Sequence, residues 1–257
     1  MNTKSLQSFD GQLWKLNQHL QLTDLALTKA NNIANKKVGK DKRIGQVLGG
    51  SLEVYRQLDI PNEKSDIRRT FITSRNKLHE QAIVELYRLF SNYVVNIITE
   101  IEHLHPRQFL SVLDDKERCV KYEDIIAIGN YDALIDDMAK RVFRTLERKR
   151  DTKSLVERII SITNININKD LLDTALLYLE IRHLIIHNNT KADAKFREMP
   201  KSDVVTIKKK NSKISLNINV TISAINTISN LCKIIDDELV AKEMVVGCYT
   251  RGAETLD

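Results

Sequence analysis

Ile83-Val-Glu-Leu-Tyr-Arg-Leu-Phe-Ser-Asn-Tyr-Val-Val-Asn-Ile-Ile-Thr-Glu-Ile101 is the stretch whose reading decides the fold. Ile83, Leu86, Phe90, Tyr93, Val94, Ile97, Ile98 and Ile101 recur three and four residues apart, the spacing of one helical face. No Gly or Pro occurs between Pro61 and Pro106, which bracket the pattern, and Ser65 or Asp66 suits its N-cap. A helix from about 65 to 105 follows, with Ile72 on its apolar side.

The same arithmetic governs the rest of the chain. Of 257 residues, 8 are Gly and 3 are Pro, about a third of ordinary usage. Sandwiches and barrels need a turn every ten residues or so, and nucleotide-cradling loops need glycine. Both classes are excluded in favour of long helices. Upstream, Leu13, Leu16, Leu20, Leu27 and Ala30 predict a helix from Ser5 to Asn35. Residues 35–50 hold four glycines and five basic residues and read as a mobile basic loop, followed by a short helix through Tyr55 and Leu58. Gly39 and Gly45 lack the spacing and the Gly-Lys-Ser/Thr of a P-loop. Downstream, a shorter helix through Phe109, Val112 and Leu113 precedes a turn at Gly129-Asn130. Helices are expected at 131–149, 152–163 and 170–188. Residues 203–218 alternate apolar and polar side chains around Lys209-Lys210-Asn211-Ser212, the two-residue period of a β-hairpin. A last helix spans 222–242. The predicted fold is mainly α, a helical bundle with a small C-terminal β-hairpin. Its parts are an N-terminal helical extension (1–65), the bundle (66–243) and a tail (244–257).

Hydrophobic residues make up 42% of the chain, enough for a core, yet no apolar run approaches the roughly 18 residues of a membrane span. The first residues lack a signal peptide's apolar segment. Cys119, Cys232 and Cys248 are odd in number and widely spaced, which fits buried, reduced thiols rather than a disulfide framework or zinc knuckle. A cytoplasmic protein without membrane contact or cofactor is the expectation. Net charge is +6, and residues 1–69 carry 12 basic against 7 acidic residues. That balance is compatible with a nucleic-acid partner.

One segment concentrates reactive side chains: Leu171-Leu-Asp-Thr-Ala-Leu-Leu-Tyr-Leu-Glu-Ile-Arg-His-Leu-Ile-Ile-His-Asn-Asn-Thr190. Glu180, Arg182, His183 and His187 stand near the end of an apolar helix, with Asn188 or Asn189 suited to a left-handed cap. Charged groups in such surroundings are costly unless paired or used. Three readings of the residues compete. Arg182 pairs with Glu180 or another carboxylate, with the histidines as helix-end cations. Alternatively, His183 and His187, one turn apart, bind a metal, although the zincin pattern needs Glu where Leu184 stands and no third ligand is evident. The third is a phosphoryl-transfer pair, Arg182 and His187. With 16 Arg and 6 His in the chain, an Arg followed by His at that separation arises by chance about once.

The string Glu180-Ile-Arg-His-Leu-Ile-Ile-His-Asn-Asn189 resembles the motif helix of the HEPN superfamily. Arg182, His183 and His187 match its Arg, following polar residue and His, and Asn188-Asn189 resembles the RiboL-PSP-type variant. The likeness extends more loosely over residues 70–243. It implies a four-to-five-helix bundle that dimerises so that two motif helices meet. It also implies a metal-independent endoribonuclease, often a toxin or antiviral effector. RNA (tRNA, mRNA or phage RNA) would be the substrate, with an antitoxin or a sensor or activator protein as a further partner. Arg182 and His187 are then catalytic, with His183 and Asn188 supporting. A non-catalytic HEPN-like module binding RNA, a nucleotide or a protein partner is the alternative.

The chemistry suits the residues. The RNA 2′-hydroxyl supplies the nucleophile, histidine can carry a proton at either end of the displacement, and guanidinium can bind phosphate oxygens as charge builds. On an ideal helix Arg182 and His187 lie about 140° apart, which favours a site shared between two copies. HEPN toxins silenced by adenylylation carry Tyr where Asn189 stands, so that control is not expected. Arg141, Arg144 and Arg148, with Lys149, Arg150 and Lys153, form a basic run, as do Lys208, Lys209, Lys210 and Lys213. Both read as solvated faces with RNA-backbone contact as the minor reading. Trp14 is expected to pack, and His103 and His105 to carry no chemistry.

Overall fold

The computed structural model describes residues 1–109, 119–148, 152–199, 204–208 and 212–248. The protein is mainly α-helical. Helix α1 spans Lys4–Lys36 and helix α3 Lys64–Leu104, a 41-residue axle about 60 Å long. Between them lie β1 (Gly39–Arg43), helix α2 (Ile44–Val47), a 3-10 turn (Arg56–Leu58) and β2 (Pro61–Asn62). Helices α4 (Tyr122–Ile128), α5 (Tyr131–Arg148), α6 (Thr152–Thr163), α7 (Lys169–His187), α8 (Ala194–Glu198) and α9 (Ile218–Ala241) follow. The helices expected at 131–149, 152–163 and 170–188 are thus present, and α4 is an addition. Beyond Phe109, the helix expected through Val112 and Leu113 lies outside the described residues.

Local signals explain the boundaries. Thr3, Asn168, Asp193 and Asn217 cap α1, α7, α8 and α9 by accepting from N–H groups of the first turns. Gly129 ends α4 in the left-handed conformation, φ 80°, which glycine adopts without a Cβ clash. Asn130 Oδ1 then accepts from Ala133 N at 2.8 Å to start α5.

The predicted apolar stripe of α3 is buried, and α1, α7 and α9 pack around it. Phe90, Tyr93, Ile97, Ile98 and Ile101 are inaccessible to solvent, each contributing about 1.5–3 kcal/mol. Ile72 is the exception and faces solvent. The N-terminal half of α1 belongs to the same core through Leu6, Phe9, Leu13 and Leu20, so residues 1–65 are not wholly an appendage. Ser5 N and Oγ donate to Glu100 Oε1 at 2.9 and 2.6 Å, and Thr3 donates to Asp236 through both N and Oγ1.

These contacts also fix directions. Ser5 lies beside Glu100, Phe9 against Tyr93, and Asp24 beside Arg75, so α1 is antiparallel to α3. Thr221 meets His79, and the Tyr93 hydroxyl donates to the Cys232 carbonyl at 3.1 Å, so α9 runs parallel to α3. Asn166 contacts Glu238 and Tyr178 contacts Ser223, so α7 runs antiparallel to both.

Two expectations need correction. The loop at 35–50 is structured: Gly39 pairs with Asn62 and Arg43 with Pro61. Asn62 Nδ2 donates to the carbonyls of Ala34 and Lys37 at 3.2 and 2.8 Å, satisfying the end of α1. Ile44 is buried there with Ala34, Ile67 and Phe71 in a second small core. The hairpin expected at 203–218 is present but short: among the described residues Lys208 N donates to the Lys213 carbonyl at 2.8 Å and Ser215 N to the Thr206 carbonyl at 2.9 Å, about an antiparallel bridge of Ile207 with Ile214. One face of that alternation, Ile214 and Leu216, turns into the main core. Finally, of the cysteines only Cys232 is buried, and Cys119 is exposed. Among the described residues α9 alone has the length and hydropathy of a membrane span, and here it packs inside the bundle.

Candidate active site at the end of helix 7

Helix α7 is enclosed on all sides over Ala175–Ile181, where every residue is buried. Glu180 lies in that stretch, and its carboxylate accepts a hydrogen bond from Lys195 Nζ of α8 at 3.3 Å. Glu180 is therefore paired with Lys195 rather than with Arg182. Past Ile181 the helix opens: Arg182 is half-buried, whereas His183, Ile186 and His187 are exposed. Ile186, next to His187 in the chain, is an apolar side chain 47% accessible to solvent.

His183 and His187 stand one turn apart with ring centroids separated by 4.7 Å and planes inclined at 44°. Arg182 turns the other way. Its guanidinium carbon lies 4.5 Å from the centroid of the Tyr87 ring on α3, a cation–π contact. Its Nε is buried without a hydrogen-bond partner. A single chain thus brings His183 and His187 together and directs Arg182 to a different side, as the 140° separation implies. Among the described residues no three His, Cys, Asp or Glu side chains converge to hold a metal, and His183 and His187 stand there as a pair.

The helix ends in an unusual turn. Asn188 N and Thr190 N both donate to the Leu184 carbonyl, at 3.0 and 2.9 Å, the closing bonds of a helix C-terminus. Asn189 and Thr190 have φ of 49° and 63°. Asn tolerates that region, but β-branched Thr does so at a cost. Two contacts hold it there: Ile214 N donates to the Thr190 carbonyl and Ala192 N to the Ser212 carbonyl, both at 2.9 Å. Asn188 Nδ2 reaches Asp193 Oδ2 at 3.3 Å and Lys213 Nζ reaches Asn189 Oδ1 at 3.3 Å. Asn188 thus serves the turn.

The remaining sequence candidates are dispersed. Arg141 donates to Asp137 at 2.7 Å on its own helix, which leaves Arg144 exposed alone. Lys208 is exposed, its backbone paired with Lys213. The side chains of Arg148, Lys149, Arg150, Lys153, Lys209 and Lys210 lie outside the described residues. His103 sits 3.5 Å from Asp136, and His105 Nε2 lies 3.2 Å from the Glu243 carbonyl. Trp14, expected to pack, is 63% accessible, on the solvent side of α1 away from the buried Leu13 and Leu20. Tyr87 and Lys195 were not signalled by sequence. Tyr87 reads only as one member of an amphipathic helix, and its tie to Arg182 exists through the fold alone.

The class defined is a mainly α-helical bundle presenting an imidazole pair and a ring-held guanidinium from one helix end. The chain matches no family model, and no curated protein or solved structure is significantly similar to it.

Proposed function

We propose that the end of α7 is half of a metal-independent, HEPN-type endoribonuclease site, completed by a second copy of the chain. The observation that carries the reading is the exposed His183–His187 pair flanked by exposed Ile186. An apolar residue beside reactive side chains suits a face covered by a symmetry-related α7. In the joint site His187 takes the 2′-hydroxyl proton or returns one to the leaving 5′-oxygen. Arg182 of either copy holds the phosphate oxygens as negative charge accumulates. The guanidinium over the Tyr87 ring is pre-oriented for that task. The biological role in this reading is a toxin or antiviral effector.

The test incubates purified protein with tRNA and total RNA in chelator, beside His187→Ala and Arg182→Ala. The expected products end in 2′,3′-cyclic phosphate, with at least a hundredfold loss in either variant, the low end of what one acid–base group contributes. Intact RNA with wild type, or equal cutting by the variants, removes the enzymatic reading. RNA binding without cutting would leave a binding module. Induced expression should arrest growth, with rescue by His187→Ala.

A further inference from the structure

The C-terminal half of α1, the N-terminal part of α3 and the strands between them form an arm that projects from the bundle. Its small core is drawn entirely from residues 27–71, whereas α3 joins the main core only from Leu78 onward. Helix α9 begins beside His79 through Thr221, so from His79 back to Lys64 the arm extends about 22 Å beyond the bundle. Because α7 is antiparallel to α9, and Thr190 is hydrogen-bonded to Ile214 just ahead of α9, the motif histidines lie at this same end.

Charge is concentrated there. Residues 25–72 contain ten Lys and Arg against five Asp and Glu, a surplus of five in a chain whose net charge is +6. Lys36, Lys37, Lys40, Lys42, Arg68 and Arg69 are exposed at the tip. Among the described residues the arm's cations make two ion pairs, Arg43 with Asp59 at 3.2 Å and, at its base, Arg75 with Asp24 at 2.8 Å. Asn62 ties β2 to the end of α1, which holds these cations on one scaffold. Exposed amides of Asn32 and Asn35 stand beside them, and Tyr55, 53% accessible, offers a ring face of the kind on which unstacked bases settle.

We infer that this arm is the RNA-gripping surface of the protein, holding the backbone of a single strand whose adjoining phosphodiester lies at the His183–His187 end of α7. The inference rests on the reading of that end as an RNA-cleaving site. Position is the reason to name RNA rather than an anionic bilayer. A strand laid along the arm delivers phosphates to His187, whereas a bilayer would deliver nothing to it.

The test measures binding of a labelled 20-nucleotide single-stranded RNA to the full chain carrying His187→Ala, which prevents turnover. The arm variant adds Lys36→Gln, Lys40→Gln, Lys42→Gln and Arg68→Gln. A charge-matched control instead adds Arg107→Gln, Lys121→Gln, Lys140→Gln and Lys233→Gln, all exposed and off the arm. Expected are at least tenfold weaker binding by the arm variant and a slope of log affinity against log salt reduced by about 3, from about 0.7 per phosphate contact. The control should bind as the parent does, with both melting temperatures unchanged, and Lys40→Gln with Arg68→Gln alone should give an intermediate loss. Equal loss in arm and control variants, or none in either, overturns the inference. So does loss of binding to phosphatidylserine vesicles with RNA binding intact. If the arm variant loses RNA while the otherwise unaltered chain cuts none, the arm stands and the active-site reading falls. Cutting with undiminished arm-variant binding gives the reverse.

Discussion

Arg182 illustrates how one contact sets the chemistry available to a residue. Stacked on Tyr87, its guanidinium has a defined plane before any phosphate arrives. Cation–π contacts are worth about 0.5–2 kcal/mol, so Tyr87→Leu should lower cleavage about 2- to 30-fold while Tyr87→Phe retains it. The comparison is made by initial rates on one RNA substrate. A rate unchanged in Tyr87→Leu would show that the ring does not position Arg182. Glu102 gives a second residue-scale prediction. It is 1% accessible, accepts from Phe109 N at 3.3 Å, and burial pushes its carboxyl from 4.5 to about 7. The folded-state value lies above the unfolded one, so the stabilisation of the neutral carboxyl is complete below pH 4.5 and is lost as pH rises through 7. At about 1.4 kcal/mol per pH unit the loss reaches about 3 kcal/mol. Glu102→Gln should therefore match wild type in denaturant melts at pH 4.5 and exceed it at pH 8.5. Parallel pH profiles would contradict that.

At the scale of elements, the junction of arm and bundle hangs on a small polar cluster. Arg75 makes two bonds to Asp24, at 2.8 and 3.0 Å, and buried His79 lies 3.4 Å from the same carboxylate and 3.2 Å from Thr221. Burial holds the His79 imidazole below its ordinary value, more than Asp24 raises it. Asp24→Ala leaves Arg75 without its acceptor and His79 without the neighbouring carboxylate. Because Arg75 is partly exposed, the cost should fall nearer 2 kcal/mol than the larger penalty of a fully buried pair. Hydrogen exchange should rise in residues 24–36 and 64–75 with the bundle's amides unchanged. Uniform change would mean that the arm is not a separate unit.

This scale also shows what sequence could convey. The long helices were legible because their apolar residues keep helical spacing over several turns and no Gly or Pro interrupts them. Strands β1 and β2 were not, since a two-residue strand such as Pro61–Asn62 has no periodicity to read. The alternation at 203–218 was visible and marks a short antiparallel pairing, although its second arm gives way to α9 sooner than the pattern suggests. Likewise Arg182 and His187 could be named by type, whereas the direction each takes depends on Tyr87, far away in the chain.

For the whole molecule, a shared site makes a sharp forecast about mixtures. If Arg182 of one copy serves His187 of the other, Arg182→Ala and His187→Ala chains mixed in equal amounts should regain about a quarter of wild-type activity. Half of the dimers are mixed and each has one intact site of two. Refolding the variants together and assaying RNA cleavage checks this. No recovery in mixtures that demonstrably exchange subunits would place both groups in one chain.

The arm also makes the molecule an electrical lever. Outside residues 25–72 the chain carries thirty basic and twenty-nine acidic residues, so nearly all its net charge sits on a projection longer than the ~8 Å screening length at physiological salt. A field of that shape exerts a torque, and near any polyanion the protein turns arm-first before contact. Encounter is thereby oriented, with the histidine end brought up behind the leading tip. Association rates measured by stopped flow should fall steeply with added salt.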